Sequence, residues 1–193
     1  MKTFGEVVEF HGHSCPGLAL GYRVAKAAME KLAMKGISED EELVAIVEND
    51  SCAVDAIQVL TGCTFGKGNL IFKDHGKQVY SFIERPSGEA VRIAIDFTPP
   101  PETEGEKKVW KRYAEGDRSE DVLQAVHDRK TRKTEAILEA SASELLTIKK
   151  VNIPLPPEAK IYQSITCARC GEKVAEPRAR VKEGKAVCIP CAE

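Results

Sequence analysis

Four cysteines near the C-terminus have the spacing of a tetrahedral metal site. Cys167 and Cys170 form one CxxC pair, and Cys188 and Cys191 form a second after an interval of seventeen residues. Two such pairs, separated by about 15–20 residues, are typical of a structural Zn2+ bound by four thiolates. A segment so short, with a few valines as core candidates, is expected to fold only around a metal. The pattern predicts a zinc finger of the treble-clef or zinc-ribbon form; iron in the same site, two disulfides and a redox pair are the alternatives.

A second group of reactive side chains lies near the N-terminus, where His11, His13 and Cys15 fall within five residues. Ser14 is predicted as the N-cap of a helix, and Pro16 suits its first turn. Because a helix N-terminus carries partial positive charge, Cys15 is expected to favour the thiolate. This stretch predicts either a metal site or a reactive Cys15, which is the candidate catalytic residue.

Two further thiols lie in turns at the ends of predicted elements, where side chains converge in folded proteins. Together with His13 and Cys15, Cys52 and Cys63 are candidate ligands of a second metal, expected to be zinc with a position open to water or substrate. For Cys63 the alternative is that of a small buried apolar residue.

Three more residues surround this candidate site. His11 is an alternative ligand to His13, and the residues leave open which of the two binds the metal. Asp50 and Asp55 are predicted to orient the imidazoles through hydrogen bonds. Histidines near a helix start also serve as caps or packing residues. His75 and His127 are interpreted as structural or surface residues.

The periodicity of apolar residues predicts an α+β fold with helices packed on a mainly antiparallel sheet. A helix is expected from residue 18 to Lys35-Gly36, and a second one over residues 53–60. Strands are predicted at 43–47, 70–73, 78–84 and 90–97. The connection 74–77 has the composition of a tight hairpin between the second and third of these strands.

Residues 106–140 are predicted to be helical and heavily charged, with a thin apolar stripe. Such helices need a surface to lie on, supplied by the sheet of the same chain or by a partner subunit. The prolines of residues 154–157 predict a stiff linker. We therefore expect a core domain over residues 1–153, which includes the charged helices, a linker over 154–163, and a finger over 164–193.

The composition restricts the setting in which the chain works. The formal net charge is −2, so overall charge gives no argument for nucleic-acid binding. The first nine residues lack the apolar segment of a signal peptide, and no apolar run reaches the roughly 20 residues that span a bilayer. We expect a cytoplasmic protein without a membrane partner, whose seven cysteines bind metals rather than form disulfides.

Three sequence motifs resemble those of the FmdE family, which takes its name from one of the subunits of the molybdenum or tungsten formylmethanofuran dehydrogenase. The motifs cover residues 10–23, 50–58 and 61–69, and the C-terminal finger is similar to one carried by some members. The resemblance implies an α+β core, intertwined homodimers and a metal site on the His/Cys motif. It does not imply dehydrogenase catalysis, because the chain has no cysteine run of the kind that holds iron–sulfur clusters.

These observations favour a homodimeric, metal-binding accessory or regulatory protein whose finger contacts protein or nucleic acid. One alternative is an enzyme that acts on a small molecule through an open zinc or a reactive Cys15. Others are a subunit associated with formylmethanofuran dehydrogenase and a redox subunit with a thiol switch.

Overall fold

Helices and strands are interleaved along the computed structural model, which describes residues 1–34 and 36–193 and divides into two units, Met1–Glu158 and Ala159–Glu193. The helices of the first unit are α1 (Phe4–His11), α2 (Pro16–Lys31), α3 (Ala53–Thr61), α4 (Glu104–Ala114), α5 (Glu120–Glu139) and α6 (Ala142–Leu145). Its strands are β1 (Leu43–Val47), β2 (Leu70–Phe72), β3 (Val79–Glu84), β4 (Ala90–Ile95) and β5 (Leu146–Lys150). Among the described residues, no helix combines the length and the apolar character needed to span a membrane.

The predicted α+β class, with a mainly antiparallel sheet, is confirmed. The strands of the first unit are ordered β2-β1-β3-β4-β5. Strand β1 runs parallel to β2 and antiparallel to β3, and the β3–β4 and β4–β5 pairs are antiparallel. The parallel pair is connected through α3, as a crossover between parallel strands requires.

The predicted hairpin between residues 70–73 and 78–84 is wrong, because β1 lies between β2 and β3. The chain crosses the carboxyl end of β1 instead: the Lys73 N–H donates to the Val47 carbonyl at 2.9 Å, and the Lys77 N–H donates to the Glu48 carbonyl at 3.0 Å. A turn composition permits a tight hairpin, but the α3 crossover had already placed β2 on the far side of β1.

The two faces of the sheet are covered differently. Alternate residues of β1, such as Ala45 and Val47, belong to the main core with α2 and α3, whereas Val44 and Ile46 form a second cluster against Val151 and other apolar residues. The segment after β5 therefore lies on the face opposite the helices. There the Arg85 guanidinium donates to the carbonyl oxygens of the first two residues of Pro156–Glu158, at 2.7 and 3.3 Å, so the proline-rich stretch begins as part of the first unit.

Helix α2 packs closely on α3. A Cβ added at Gly21 would lie 2.2 Å from the Ala53 carbonyl oxygen and 2.5 Å from the Ala53 Cα. Glycine is therefore required at this position for the backbones to approach. The helix ends at Lys31, earlier than the predicted Lys35-Gly36 end, of which Lys35 lies outside the described residues.

The charged helices α4 and α5 differ in what they bury. Helix α5 buries Val122, Val126 and Ile137. The Arg23 guanidinium of α2 donates to three carbonyl oxygens at the C-terminal end of α5, at distances of 2.6–2.8 Å. Helix α4 has no buried residue when its surroundings are the described part of the chain. The surface that α5 needs is thus supplied by α2.

The second unit consists of short strands and one terminal helix, as the finger prediction expects. Its elements are β6 (Ser164–Thr166), β7 (Lys173–Ala175), β8 (Arg180–Lys182), β9 (Lys185–Val187) and α7 (Ile189–Ala192). Strands β6 and β7 form one antiparallel pair, and β8 and β9 form another. Each element is only three or four residues long, so the unit cannot bury a core comparable with that of the first.

The close approach of α2 and α3 makes a prediction for Gly21→Ala. The new methyl group meets backbone atoms that cannot move aside, and we expect the free energy of unfolding to fall by about 1–3 kcal/mol. Denaturant unfolding of the full chain measures this loss.

Gly5→Ala is the matched control within α1. The nearest atom to an added Cβ there is the Thr3 hydroxyl at 3.8 Å, so the change should be neutral or stabilise the protein by up to about 1 kcal/mol. Equal unfolding midpoints for the two variants would contradict the prediction.

Candidate metal centres

The N-terminal site is built where α1 ends and α2 begins. Gly12 ends α1 with a φ of 89°, a left-handed conformation that suits glycine, and its N–H donates to the Val8 carbonyl at 2.8 Å. The N-cap of α2 is Cys15 rather than the predicted Ser14. Since Pro16 occupies the first helical position, the residue before it must be the cap. The Cys15 Sγ accepts the Leu18 N–H at 3.4 Å.

His11 is held by a carboxylate of α3. Its Nδ1 lies 2.7 Å from the Asp55 Oδ2, while its Nε2 lies 3.8 Å from the Cys15 Sγ. Because an ionised carboxylate only accepts hydrogen bonds, Nδ1 carries the proton and the Nε2 lone pair points towards Cys15. Metal-bound histidines commonly have this arrangement, with a carboxylate that fixes the tautomer and the ring.

His13 completes a group of three donors. The ligand atoms of His11, His13 and Cys15 all lie within 4.8 Å of one another. The His13 ring is exposed and stands against the His11 ring, with centroids 4.5 Å apart. The structure therefore brings both candidate histidines to Cys15, and a metal could use either or both.

Cys52 lies beside this group without belonging to it. It is the N-cap residue of α3, and its Cβ would be 3.2 Å from a Cβ built on Gly17. Burial, followed by the neighbouring Cys15 thiol with which it hydrogen-bonds, raises the pKa of the Cys52 thiol. It thus adjoins Cys15 at the edge of the donor group.

Cys63 lies elsewhere, in the main core. Its Sγ donates to the Leu43 carbonyl at 3.3 Å, and its side chain is fully buried. Burial raises the pKa of this thiol to about 11. The structure does not bring Cys63 into the donor group, and its environment is that of a small buried apolar residue.

The two candidate aspartates have different surroundings. Asp55 binds His11, and its other oxygen, Oδ1, accepts from Gln58 at 3.5 Å. Asp50 is exposed and makes no hydrogen bond with either imidazole in the part of the chain that the structure describes. Of the other histidines, His75 lies 3.1 Å from the Glu48 carboxylate and His127 is exposed on α5.

Asn49 is a positioning residue that the sequence analysis missed. Its Nδ2 donates to the Lys77 carbonyl at 2.7 Å and to the Tyr80 hydroxyl at 3.0 Å. Its Oδ1 accepts from the Ser51 hydroxyl at 2.7 Å. These bonds hold the turn that leads into Cys52. The available signal was an asparagine in a polar turn, a residue that commonly bonds to the backbone two positions further on.

The C-terminal cysteines form a second, compact donor group. The sulfur atoms of Cys167, Cys170, Cys188 and Cys191 lie within 4.8 Å of one another. The Arg169 and Cys188 N–H groups donate to the Cys167 Sγ at 3.4 and 3.3 Å. Amide donors of this kind stabilise thiolate ligands.

The sulfur atoms of this group cannot all be deprotonated without a cation. Hydrogen bonds from the backbone of Cys170 and Cys188 lower the pKa of the Cys167 thiol to about 6. The opposite holds for Cys191, whose thiol pKa is raised to about 12, chiefly by hydrogen bonding with Cys188. A bound dication relieves this mutual repulsion, because thiolates are the ligating form. The four-sulfur donor set fits a structural Zn2+.

Comparison with known proteins agrees with both parts of the architecture. The family described as "FmdE, Molybdenum formylmethanofuran dehydrogenase operon" matches residues 10–147, and the "Prokaryotic dksA/traR C4-type zinc finger" matches residues 160–193. The resemblance inferred from the sequence motifs is thereby confirmed, as is the assignment of the C-terminal segment to a zinc-finger family.

Two relatives extend the comparison. A protein of Archaeoglobus fulgidus, named "Probable S-adenosyl-L-methionine-binding protein", is 32% identical over 198 residues, which cover 95% of this chain and 50% of that protein. The chain thus spans about half the length of this curated relative. A crystal structure of an FmdE-like protein of tungsten formylmethanofuran dehydrogenase, from Syntrophus aciditrophicus, matches with a TM-score of 0.64 and 26% identity, over 98% of this chain and 92% of that chain.

The burial of Cys63 predicts that its thiol resists alkylation. With a pKa of about 11, the thiol stays protonated at pH 8, whereas an unfolded cysteine is partly thiolate. We expect iodoacetamide at pH 8 to modify native Cys63 at least roughly 100-fold more slowly than Cys63 in guanidinium. Peptide mapping after cleavage before Asp55 separates Cys63 from the partly exposed Cys52. Similar native and unfolded rates would contradict the assignment of Cys63 to the core.

Proposed function

The chain belongs to the FmdE family, and from this premise we propose that it is a homodimeric accessory protein that binds one zinc ion in each of its two units. The observation that carries the proposal is the group of His11, His13 and Cys15 donors, with His11 oriented by Asp55. We assign the protein to a reducing cytoplasm, where free thiols remain available to metals.

The chemistry of the N-terminal donors supports zinc. Imidazole and thiolate are both ligands that Zn2+ accepts, and three protein ligands leave a fourth position open to water or another molecule. When bound, the ion would supply a Lewis acid at that open position. The chain itself contributes the hydrogen bond from His11 to Asp55, which fixes the ring, and the Leu18 N–H donated to the Cys15 sulfur.

An accessory role is supported by how the cysteines are distributed. Four of the seven lie in the finger, Cys63 is buried in the core, and Cys15 and Cys52 adjoin the N-terminal site. None remains for a separate iron–sulfur cluster of the kind that formylmethanofuran oxidation requires. The names of the relatives suggest that this protein works beside a molybdenum or tungsten dehydrogenase rather than replacing one.

The helical pair α4–α5 supports the homodimer. A helix as short as α4 is marginal in water unless its apolar face is covered. Its Val109 and Trp110 line a cavity of about 260 Å3 together with Ala125 and Val126 of α5, and Trp110 is 38% exposed. A second copy of the chain would bury this face, as the family resemblance implies.

Metal content tests the central proposal. Purified full-length protein should contain about two zinc ions per chain, one for each donor group. The double variant His11→Ala/Cys15→Ser should retain only the finger zinc, and Cys170→Ser/Cys188→Ser only the N-terminal one. Elemental analysis of the intact chain measures both values.

His75→Ala and Cys63→Ser are the matched controls for that experiment. Each removes an imidazole or a thiol outside the donor groups, and both variants should keep about two zinc ions. If wild-type protein reconstituted with excess zinc holds a single ion, and the His11/Cys15 variant holds the same, the N-terminal metal site does not exist.

The oligomeric state tests the dimer. Trp110→Glu places a charge on the apolar face of α4, and the molar mass measured by light scattering should fall by half at micromolar concentration. Lys108→Glu changes charge at an exposed position of the same helix and should leave the mass unchanged. A wild-type mass equal to that of one 21.1 kDa chain would refute the dimer directly.

A further inference from the structure

The N-termini of α2 and α3 bring two thiols together. Cys15 is the N-cap of α2 and Cys52 that of α3, and the pair hydrogen-bonds through the side chains. The contact follows from the backbone packing, because Gly17 lies against Cys52 and Gly21 against Ala53. These distances cannot vary much while the two helices remain packed.

The two thiols differ in what else they contact. The Cys15 sulfur accepts the Leu18 N–H and faces the His11 Nε2, which are contacts of a ligand or nucleophile. Cys52 makes no capping hydrogen bond within α3, and it is partly exposed. Its turn is held by the Asn49–Ser51 hydrogen bond, so the thiol stays beside Cys15.

We propose that Cys15 and Cys52 form a disulfide when a peroxide reaches the site, and that this bond and the metal exclude each other at Cys15. The inference extends the proposed function, since the metal half of it rests on zinc at His11, His13 and Cys15. Oxidation then releases the ion, and a thiol reductant restores the site. Cys52 has the role of a resolving cysteine rather than of a ligand.

The reaction balances with hydrogen peroxide as the oxidant. The Cys15 sulfur attacks one peroxide oxygen, the O–O bond breaks, and the leaving hydroxide takes the thiol proton to form water. The Cys52 sulfur then attacks the resulting sulfenic acid, forming the S–S bond, and the departing hydroxide leaves as water with the Cys52 proton. Two thiols are oxidised and one peroxide is reduced to two waters.

Disulfide mapping of the zinc-loaded full chain tests the proposal. Trypsin leaves Cys52 and Cys63 in one peptide, residues 36–67, so cleavage before Asp55 is needed to separate them. After brief peroxide treatment and blocking of free thiols, we expect a Cys15–Cys52 crosslink at least roughly tenfold more abundant than any crosslink to the buried Cys63. Dithiothreitol should remove it.

Zinc release gives an independent readout. A chromogenic chelator should detect about one more zinc per chain from peroxide-treated wild type than from Cys15→Ser, whose signal reports the finger alone. After dithiothreitol and added zinc, wild type and Cys63→Ser should recover the N-terminal ion. Cys52→Ser should not, because its Cys15 passes beyond the sulfenic acid.

The outcomes separate this inference from the proposed function. A Cys15–Cys52 crosslink in protein that binds only the finger zinc would support the thiol pair and refute the metal site. Two bound zinc ions with Cys15 oxidised but not crosslinked, in the wild-type chain, would leave the metal site intact and overturn the disulfide. The mapping uses wild-type protein, so neither result depends on the folding of a variant.

Discussion

Helices α2 and α3 approach so closely that a side chain at Gly21 would overlap the Ala53 carbonyl, and the rest of the N-terminal site depends on this contact. It places the first turn of α2 against the first turn of α3. Cys15 and Cys52, one at the start of each helix, are neighbours for that reason. A metal donor and a second thiol thus come together through backbone packing, which is among the stiffest features of a folded chain.

The imidazole of His11 depends on the same contact through a different element. His11 ends α1, and the Asp55 that orients it belongs to α3. Its free nitrogen is directed towards Cys15 only while α1, α2 and α3 are packed together. The site is therefore assembled by three helices around a buried sheet, and it differs from a peptide motif that binds a metal by itself.

The finger represents the opposite case. Its strands are three residues long, and Cys167 and Val187 are its buried apolar residues among those that the structure describes. Its organisation comes from the two knuckles, whose amide groups donate to the Cys167 sulfur. One chain thus combines a unit in which the fold makes the metal site with a unit in which the metal makes the fold.

The sequence by itself determined whatever depends on residues close together along the chain. The finger followed from CxxC spacing, the α+β class from apolar periodicity, and the family from three local motifs. Only the tertiary structure decided that β2 lies beyond β1, that Cys63 faces the core, and that Cys52 adjoins Cys15. The physical reason is that strand order and helix packing arise from contacts between distant segments, and a turn rich in cysteine or glycine has the same composition on either side of a sheet.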